Sequence, residues 1–177
     1  EGLIRGSITS GSISLVGDTS RGEGASLYGV GIGAAAVIGA FLNTNNTVLT
    51  SLSVTNINIE DLDIRAPLIG RAMLGGIVGC CGNTTAKNIQ SRIQNVDIKN
   101  VDINKEVKRF AFNGGIIGLV KEGVKKCEIS NVKIIGDKNN KNTITGYRHS
   151  GGIIGFTSSN TIIDNCLIEN YEMITDE

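Results

Sequence analysis

Few side chains in this 177-residue chain have the types and spacings that chemistry needs. There is one histidine, His149, and four cysteines, Cys80, Cys81, Cys127 and Cys166. A structural zinc site takes four Cys or His ligands, commonly with two of them at CxxC spacing. No CxxC is present, so zinc is not expected. The HExxH pair of a metallopeptidase needs two histidines, and a Ser–His–Asp or Cys–His unit would have to use His149. His149 stands two residues before Gly151, in a repeat position that other copies fill with Met73 and Phe112. That column is apolar, so a structural histidine is expected. Adjacent cysteines such as Cys80 and Cys81 seldom bridge each other, because disulfide geometry strains the peptide between them. The four thiols are expected to act as small buried hydrophobes, with a bridge from Cys127 to a neighbouring turn left open.

Carboxylates are the other candidates. Glycoside hydrolysis needs two of them at a defined separation. Glu60, Asp61 and Asp63 fall in one turn, and Asp97 and Asp102 in the next. Asp63 and Asp102 are placed to lie close, but the column through Asp97 reads Ser53, Asp97, Lys133, Leu167, which is no acidic stripe. The EDLD run reads equally well as a solvated strand face. The same groups lack a DxDxDG loop or a GGxGxD repeat, so calcium is not expected. The reading is no catalytic residue, no cofactor and no metal.

Positions of greater weight are the repeated ones. Residues 75–79 read GGIVG, and residues 114–118 and 151–155 both read GGIIG. A weaker copy, AAVIG, begins at Ala35, so the period is 37 to 40 residues. Self-similarity at such a period marks a stack of supersecondary units. A second motif keeps phase with the first: IQNVDI at 93–98, ISNVKI at 129–134 and IDNCLI at 163–168. LTSLSV at 49–54 is taken as the first copy, and ITSGSI at 8–13 as a loose earlier one.

Stacked parallel strands place equivalent residues about 4.8 Å apart. Ile93, Ile129 and Ile163 then form one buried column. Ile98, Ile134 and Ile168 form a second, extended by Val54. Val96, Val132 and Cys166 form a third. Asn95, Asn131 and Asn165, with Ser51 in the same place, form an amide ladder at a corner, since stacked Asn side chains bond the amide above and below and Asn tolerates a left-handed backbone. Gly75, Gly76, Gly79, Gly114, Gly115, Gly118, Gly151, Gly152 and Gly155 are read as corner residues that supply positive φ and close backbone approach. A phosphate-cradling loop is the alternative for GGxxG, but no GK[ST] follows. Arg71, Phe110 and Tyr147 occupy one further column. The polar stretches 104–109 and 136–143 vary in length and are expected as surface loops.

Composition agrees with many short strands and tight corners. The chain has 26 Ile, 24 Gly and 18 Asn, but one Pro, no Trp and few rings. Ile suits strands, and Gly and Asn suit corners. Seventeen basic residues balance 17 acidic ones, which argues against nucleic acid as the main partner. No run of 18 apolar residues occurs, so no membrane insertion is expected. The opening at Glu1, without a signal peptide, is that expected of a mature or excised fragment.

These residues resemble the GLUG-motif repeat family, whose repeats carry a G-G-[LIV]-[IV]-G start, a spacer and an I-x-N-[VSC]-x-[IV] strand. The likeness covers residues 75–170, with a weaker copy from Ala35 in which Ala35 and Ala36 replace the glycines and Ser51 the Asn. The resemblance implies β-solenoid repeats of bacterial secreted or surface proteins, including those beside the peptidase domain of immunoglobulin A zinc peptidases. It lends no catalytic residue.

The expectation is an all-β chain, a single parallel β-solenoid over residues 1–177, of four to five rungs by repeat count and right-handed by the crossover rule. Residues 1–34 form an irregular segment or an N-terminal rung, followed by repeats 35–74, 75–113, 114–150 and 151–177. The expected role is a non-enzymatic rigid spacer or adhesive module, secreted or on the cell surface. Its partners would be flanking domains or copies of itself at the open ends, and a host-surface protein or glycan at the loops. A fibre-forming subunit, and a carbohydrate-active β-helix enzyme or tailspike fragment, are the alternatives.

Overall fold

The computed structural model describes residues 2–8, 11–14, 32–35, 38–41, 51–65, 72–82, 89–103, 111–138, 142–146 and 149–175. The column of Arg71, Phe110 and Tyr147, the loop 104–109 and the tip 139–141 lie outside these residues. All elements described are strands. They are β1 (Gly2–Ile8), β2 (Gly11–Ser14), β3 (Ile32–Ala35), β4 (Ile38–Phe41), β5 (Ser51–Arg65), β6 (Ala72–Gly75), β7 (Val78–Cys81) and β8 (Ile89–Ile103). There follow β9 (Ala111–Gly114), β10 (Ile117–Val120), β11 (Val124–Ile135), β12 (Asn142–Gly146), β13 (His149–Gly151), β14 (Ile154–Thr157), β15 (Thr161–Glu169) and β16 (Tyr171–Thr175).

They form three sheets whose strand pairs are parallel. One has the order β1-β5-β8-β11-β15, with β2 on β5, β12 on β8 and β16 on β12; the others run β4-β7-β10-β14 and β3-β6-β9-β13. Each repeat therefore contributes to the three sheets in the same chain order. Gly75 pairs with Gly114 and Gly114 with Gly151, so the glycine marks of the sequence stand in register.

The long strands show why this sequence bends as it does. In β8, Ile89, Ser91 and Ile93 are buried and alternate with exposed neighbours, the period-2 signature of a half-buried strand. The alternation slips at Asn95 and again at Asn100, which have φ of 54° and 52°. A residue in this left-handed region turns the strand, and Asn tolerates it better than most L-residues. The slip returns Val96 and then Val101 to the interior. The core is thereby built from whole columns. Val54, Ile93 and Ile129 share one, and Ile59, Ile98 and Ile134 another, all at most 2% exposed.

The register of the first long strand departs from the sequence reading. Val54 pairs with Ile93, Ile57 with Val96 and Ile59 with Ile98. The copy of the strand motif is thus VTNINI at 54–59, five residues beyond LTSLSV. Asn56, not Ser51, enters the amide column, and Asn58, not Ser53, precedes Asp97; Ser51 pairs with Gln90 and Ser53 with Arg92. Val54 belongs to the Ile93 column and not to that of Ile98. The cause is the corner: Asn56 takes φ 57°, which Ser adopts less readily, and the spacer before it absorbs the extra length. The first strand pair shifts similarly. Ile4 pairs with Val54 and Ile8 with Ile59, while Ile13 on β2 pairs with Ile64.

Candidate functional site

The most ordered polar feature is a file of four corner asparagines. Asn95 Nδ2 donates to Asn56 Oδ1 at 3.1 Å, Asn131 Nδ2 to Asn95 Oδ1 at 3.2 Å, and Asn165 Nδ2 to Asn131 Oδ1 at 2.7 Å. All four have positive φ, from 48° to 57°. Every amide points the same way, each donating to the repeat before it. A left-handed L-residue is disfavoured by about 1–2 kcal/mol, a cost that Asn reduces, and each amide bond returns about 1 kcal/mol.

A second left-handed corner follows five residues after Asn95 and Asn165. Asn100 and Asn170 have φ of 52° and 50°. Asn100 Oδ1 accepts from the Asp137 backbone N–H at 3.1 Å, and Asn170 Nδ2 donates to the Gly136 carbonyl at 3.0 Å. The sequence reading missed this corner. Its signal was available, because Asn100 and Asn170 stand five residues beyond Asn95 and Asn165, and Asn accepts a left-handed turn. Two buried amides were also missed: Asn113 Nδ2 donates to the Thr145 carbonyl, and Asn142 Oδ1 accepts from Val101 N–H, both at 2.6 Å. They fasten the inserted strand β12.

The marker glycines serve close approach and not a left-handed backbone. Among described glycines, positive φ occurs at Gly82 and Gly123 only, which corrects the reading of Gly75, Gly76, Gly79, Gly114, Gly115, Gly118, Gly151, Gly152 and Gly155 as positive-φ corners. A Cβ on Gly76 would run into the carbonyl oxygen of Gly115, and one on Gly115 into that of Gly152. On Gly75, Gly114 and Gly151 it would strike the carbonyl of Val78, Ile117 and Ile154 in the same repeat. Gly118 and Gly155 face the backbone of the preceding repeat, at Leu74 and Asn113. Gly79 lies within the buried strand β7.

Among the described residues, the cysteines and His149 do not gather into one cluster. All four cysteines are free, and Cys80, Cys81 and Cys127 are buried. Desolvation pushes the Cys80 thiol up to about 12 and that of Cys127 up to about 11, and it raises Cys81 and half-buried Cys166 as well. Such thiols are poor nucleophiles. His149 shares a column with Met73 and Phe112. Its ring stacks on Phe112 with centroids 4.9 Å apart, and Phe156 meets it edge-on at 5.0 Å.

Asp63 is in register with Asp102, whereas Asp97 lies between Asn58 and Lys133. Two glutamates engage cations of a neighbouring repeat, Glu60 with Lys99 at 3.1 Å and Glu128 with Arg92 at 3.0 Å, and Glu128 also meets Lys126 of its own repeat. Those hydrogen bonds, from Lys126 first and then Arg92, hold the Glu128 carboxyl below the ordinary carboxylate range. A shallow groove of about 220 Å³ runs past Ser53, Gln90, Arg92, Lys126 and Glu128, and Glu128 is its one carboxylate. Among the described residues no cluster of His, Cys, Asp or Glu has the arrangement of a metal site, and no helix is long and apolar enough to cross a membrane. Set against known protein families, characterised proteins and solved structures, the chain matches none.

Proposed function

We propose that the chain is a right-handed β-solenoid in which each repeat is one coil, and that it serves as a rigid, non-enzymatic spacer or adhesive module. The observation that carries this reading is the file Asn56–Asn95–Asn131–Asn165, in register with buried isoleucine columns on either side of the corner. Stiffness follows from such an arrangement, because each coil is tied to the next along several strands at once. The resemblance to GLUG-motif repeats supports placement on a secreted or cell-surface protein, where loops between strands would present contacts to a surface protein or glycan.

Electron microscopy of the purified chain tests the shape: short rods of uniform width are expected, and round particles would overturn the reading. A panel of acidic and neutral polysaccharides tests the role. Binding without turnover fits an adhesive module, and hydrolysis or elimination of any member would overturn the non-enzymatic assignment.

A further inference from the structure

The balanced overall charge conceals a segregated one. Residues 75–150 hold 13 of the 17 basic side chains and 6 of the 17 acidic ones, whereas residues 151–177 hold five acidic residues and no basic one. The groove past Arg92 and Lys126 opens against this cationic stretch. It is lined from β5, β8 and β11, with β1 and β15 paired outside them. It therefore belongs to the middle of the stack and does not depend on where the chain stops.

Two short side chains make the trough. Ser51 and Ser53 stand in register with Gln90 and Arg92, and these with Lys126 and Glu128. Each column thus steps from a serine to longer polar side chains, leaving the low side of the groove at β5. Arg92 gives Glu128 its Nε and one terminal nitrogen, 3.1 and 3.0 Å from the same carboxylate oxygen. Lys126 meets the other oxygen. The second terminal nitrogen of Arg92 and two ammonium protons of Lys126 remain for a ligand, and the two side chains are 57% and 43% exposed. Among the described residues, the Ser51 and Ser53 hydroxyls and the Gln90 amide have no hydrogen-bond partner. Three neutral hydrogen-bonding groups therefore line the groove beside two cations.

We infer that this groove binds a uronate unit of an acidic polysaccharide. The open edge of the Arg92 guanidinium matches a carboxylate, and Lys126 adds a second cation. The serine hydroxyls and the Gln90 amide match the hydroxyls of a sugar ring. Glu128 accepts from such hydroxyls but repels a phosphate dianion. No aromatic side chain lines the groove, so a neutral sugar has no ring to stack on, and single-stranded nucleic acid lacks the platform on which its bases stack. The volume of about 220 Å³ falls below the roughly 300 Å³ at which sites for drug-sized ligands begin. The groove thus takes one or two sugar units while the rest of the polysaccharide passes out over the sheet. With Glu128 as its one carboxylate it lacks the pair that hydrolysis needs. The inference rests on the adhesive-module reading and adds a contact on a strand face to those at the loops.

Isothermal titration of the chain with oligogalacturonate, with a maltooligosaccharide of equal length and with a single-stranded DNA oligomer provides the test. Oligogalacturonate is expected to bind, and the neutral oligomer not to bind at the same concentration. Arg92→Ala should weaken binding about tenfold, since it removes the charge-assisted contact. Ser53→Glu, which fills the low side and adds a like charge, should weaken it as well. Glu128→Gln should tighten it by releasing both cations. Lys133→Ala lies past the Asn131 corner and should leave it unchanged, with strand circular dichroism intact in all four variants. Equal losses in Arg92→Ala and Lys133→Ala would overturn the groove in favour of diffuse charge attraction. Tighter binding of the DNA oligomer would overturn the sugar assignment. No binding of oligogalacturonate by protein that forms short rods would overturn the inference and leave the spacer reading standing. Shortening of the oligogalacturonate would remove the non-enzymatic reading itself.

Discussion

Asn131 Nδ2 reaches Asn95 Oδ1 across 3.2 Å although 36 residues separate the two in the chain. Asn131 also accepts from Asn165, and its backbone is left-handed. Asn131→Leu removes both amide bonds and forces a branched side chain into that backbone. A loss of about 2–4 kcal/mol is expected. Asn131→Gly keeps the turn and loses only the amide, so it should cost about half as much. Urea unfolding of the two variants separates corner from ladder: equal losses would count against backbone strain at the corner, and an Asn131→Gly variant as stable as the parent would count against the ladder.

Ile129 is sealed and Ile163, the next member of its column, is 49% exposed. Ile129→Ala should destabilise by about 2–5 kcal/mol, the range for a buried aliphatic side chain. Ile163→Ala in dilute solution should cost less than half of that, because much of the side chain is still in water. Urea denaturation of the two variants checks this.

Glycine at the GG mark should matter only where backbone faces it. Gly115→Ala drives a methyl into the Gly152 carbonyl and should cost about 1–3 kcal/mol as overpacking. Gly152→Ala meets only the Ile168 side chain, which can turn aside, and should be tolerated. Thermal melts of the two variants make the comparison.

The buried thiols should make the fold sensitive to base. Desolvation raises Cys80 from 9.0 to about 12 and Cys127 from 9.0 to about 11. Below pH 9 both states hold their protons, and the contribution of these groups to stability is fully present. Above it the unfolded chain ionises first, so stability falls until the folded thiols titrate, by about 1.4 kcal/mol per pH unit for each thiol. Cys127→Ala should flatten the decline between pH 9 and 11. In native protein a thiol reagent should label Cys166 ahead of the other three.

Much of the architecture is legible in the residues. The pentapeptides beginning at Gly75, Gly114 and Gly151 stand in register in the structure, and the column of Met73, Phe112 and His149 is the one the spacing implies. The first long strand was misplaced because its spacer is long. From Gly75 to Ile93 is 18 residues and from Gly151 to Ile163 is 12, so spacing alone does not fix where Ala35 leads. Backbone conformation does: VTNINI has an asparagine for the left-handed turn, and LTSLSV does not. The glycines were misread for a different reason. Sequence shows that a side chain is missing but not whether torsion or proximity forbids it, and here backbone of the same or a neighbouring repeat occupies the space at most of these glycines. The second left-handed corner was hidden because asparagine marks it in two repeats only, at Asn100 and Asn170, while Asp61 and Gly136 stand at the same place in the others.

The pairing of each repeat with the repeats on either side has a mechanical consequence. β8 is bonded to β5 and β11, and β11 to β8 and β15, so repeats are links in series while the bonds between two links share a load in parallel. Pulled from its two ends, such a chain yields one link at a time, starting with the one held on a single side. Each yield frees the length of one repeat, about 13 nm of extended chain at roughly 3.4 Å per residue. A tether built this way would absorb work in steps and re-form from the links that remain, which act as the template for the next.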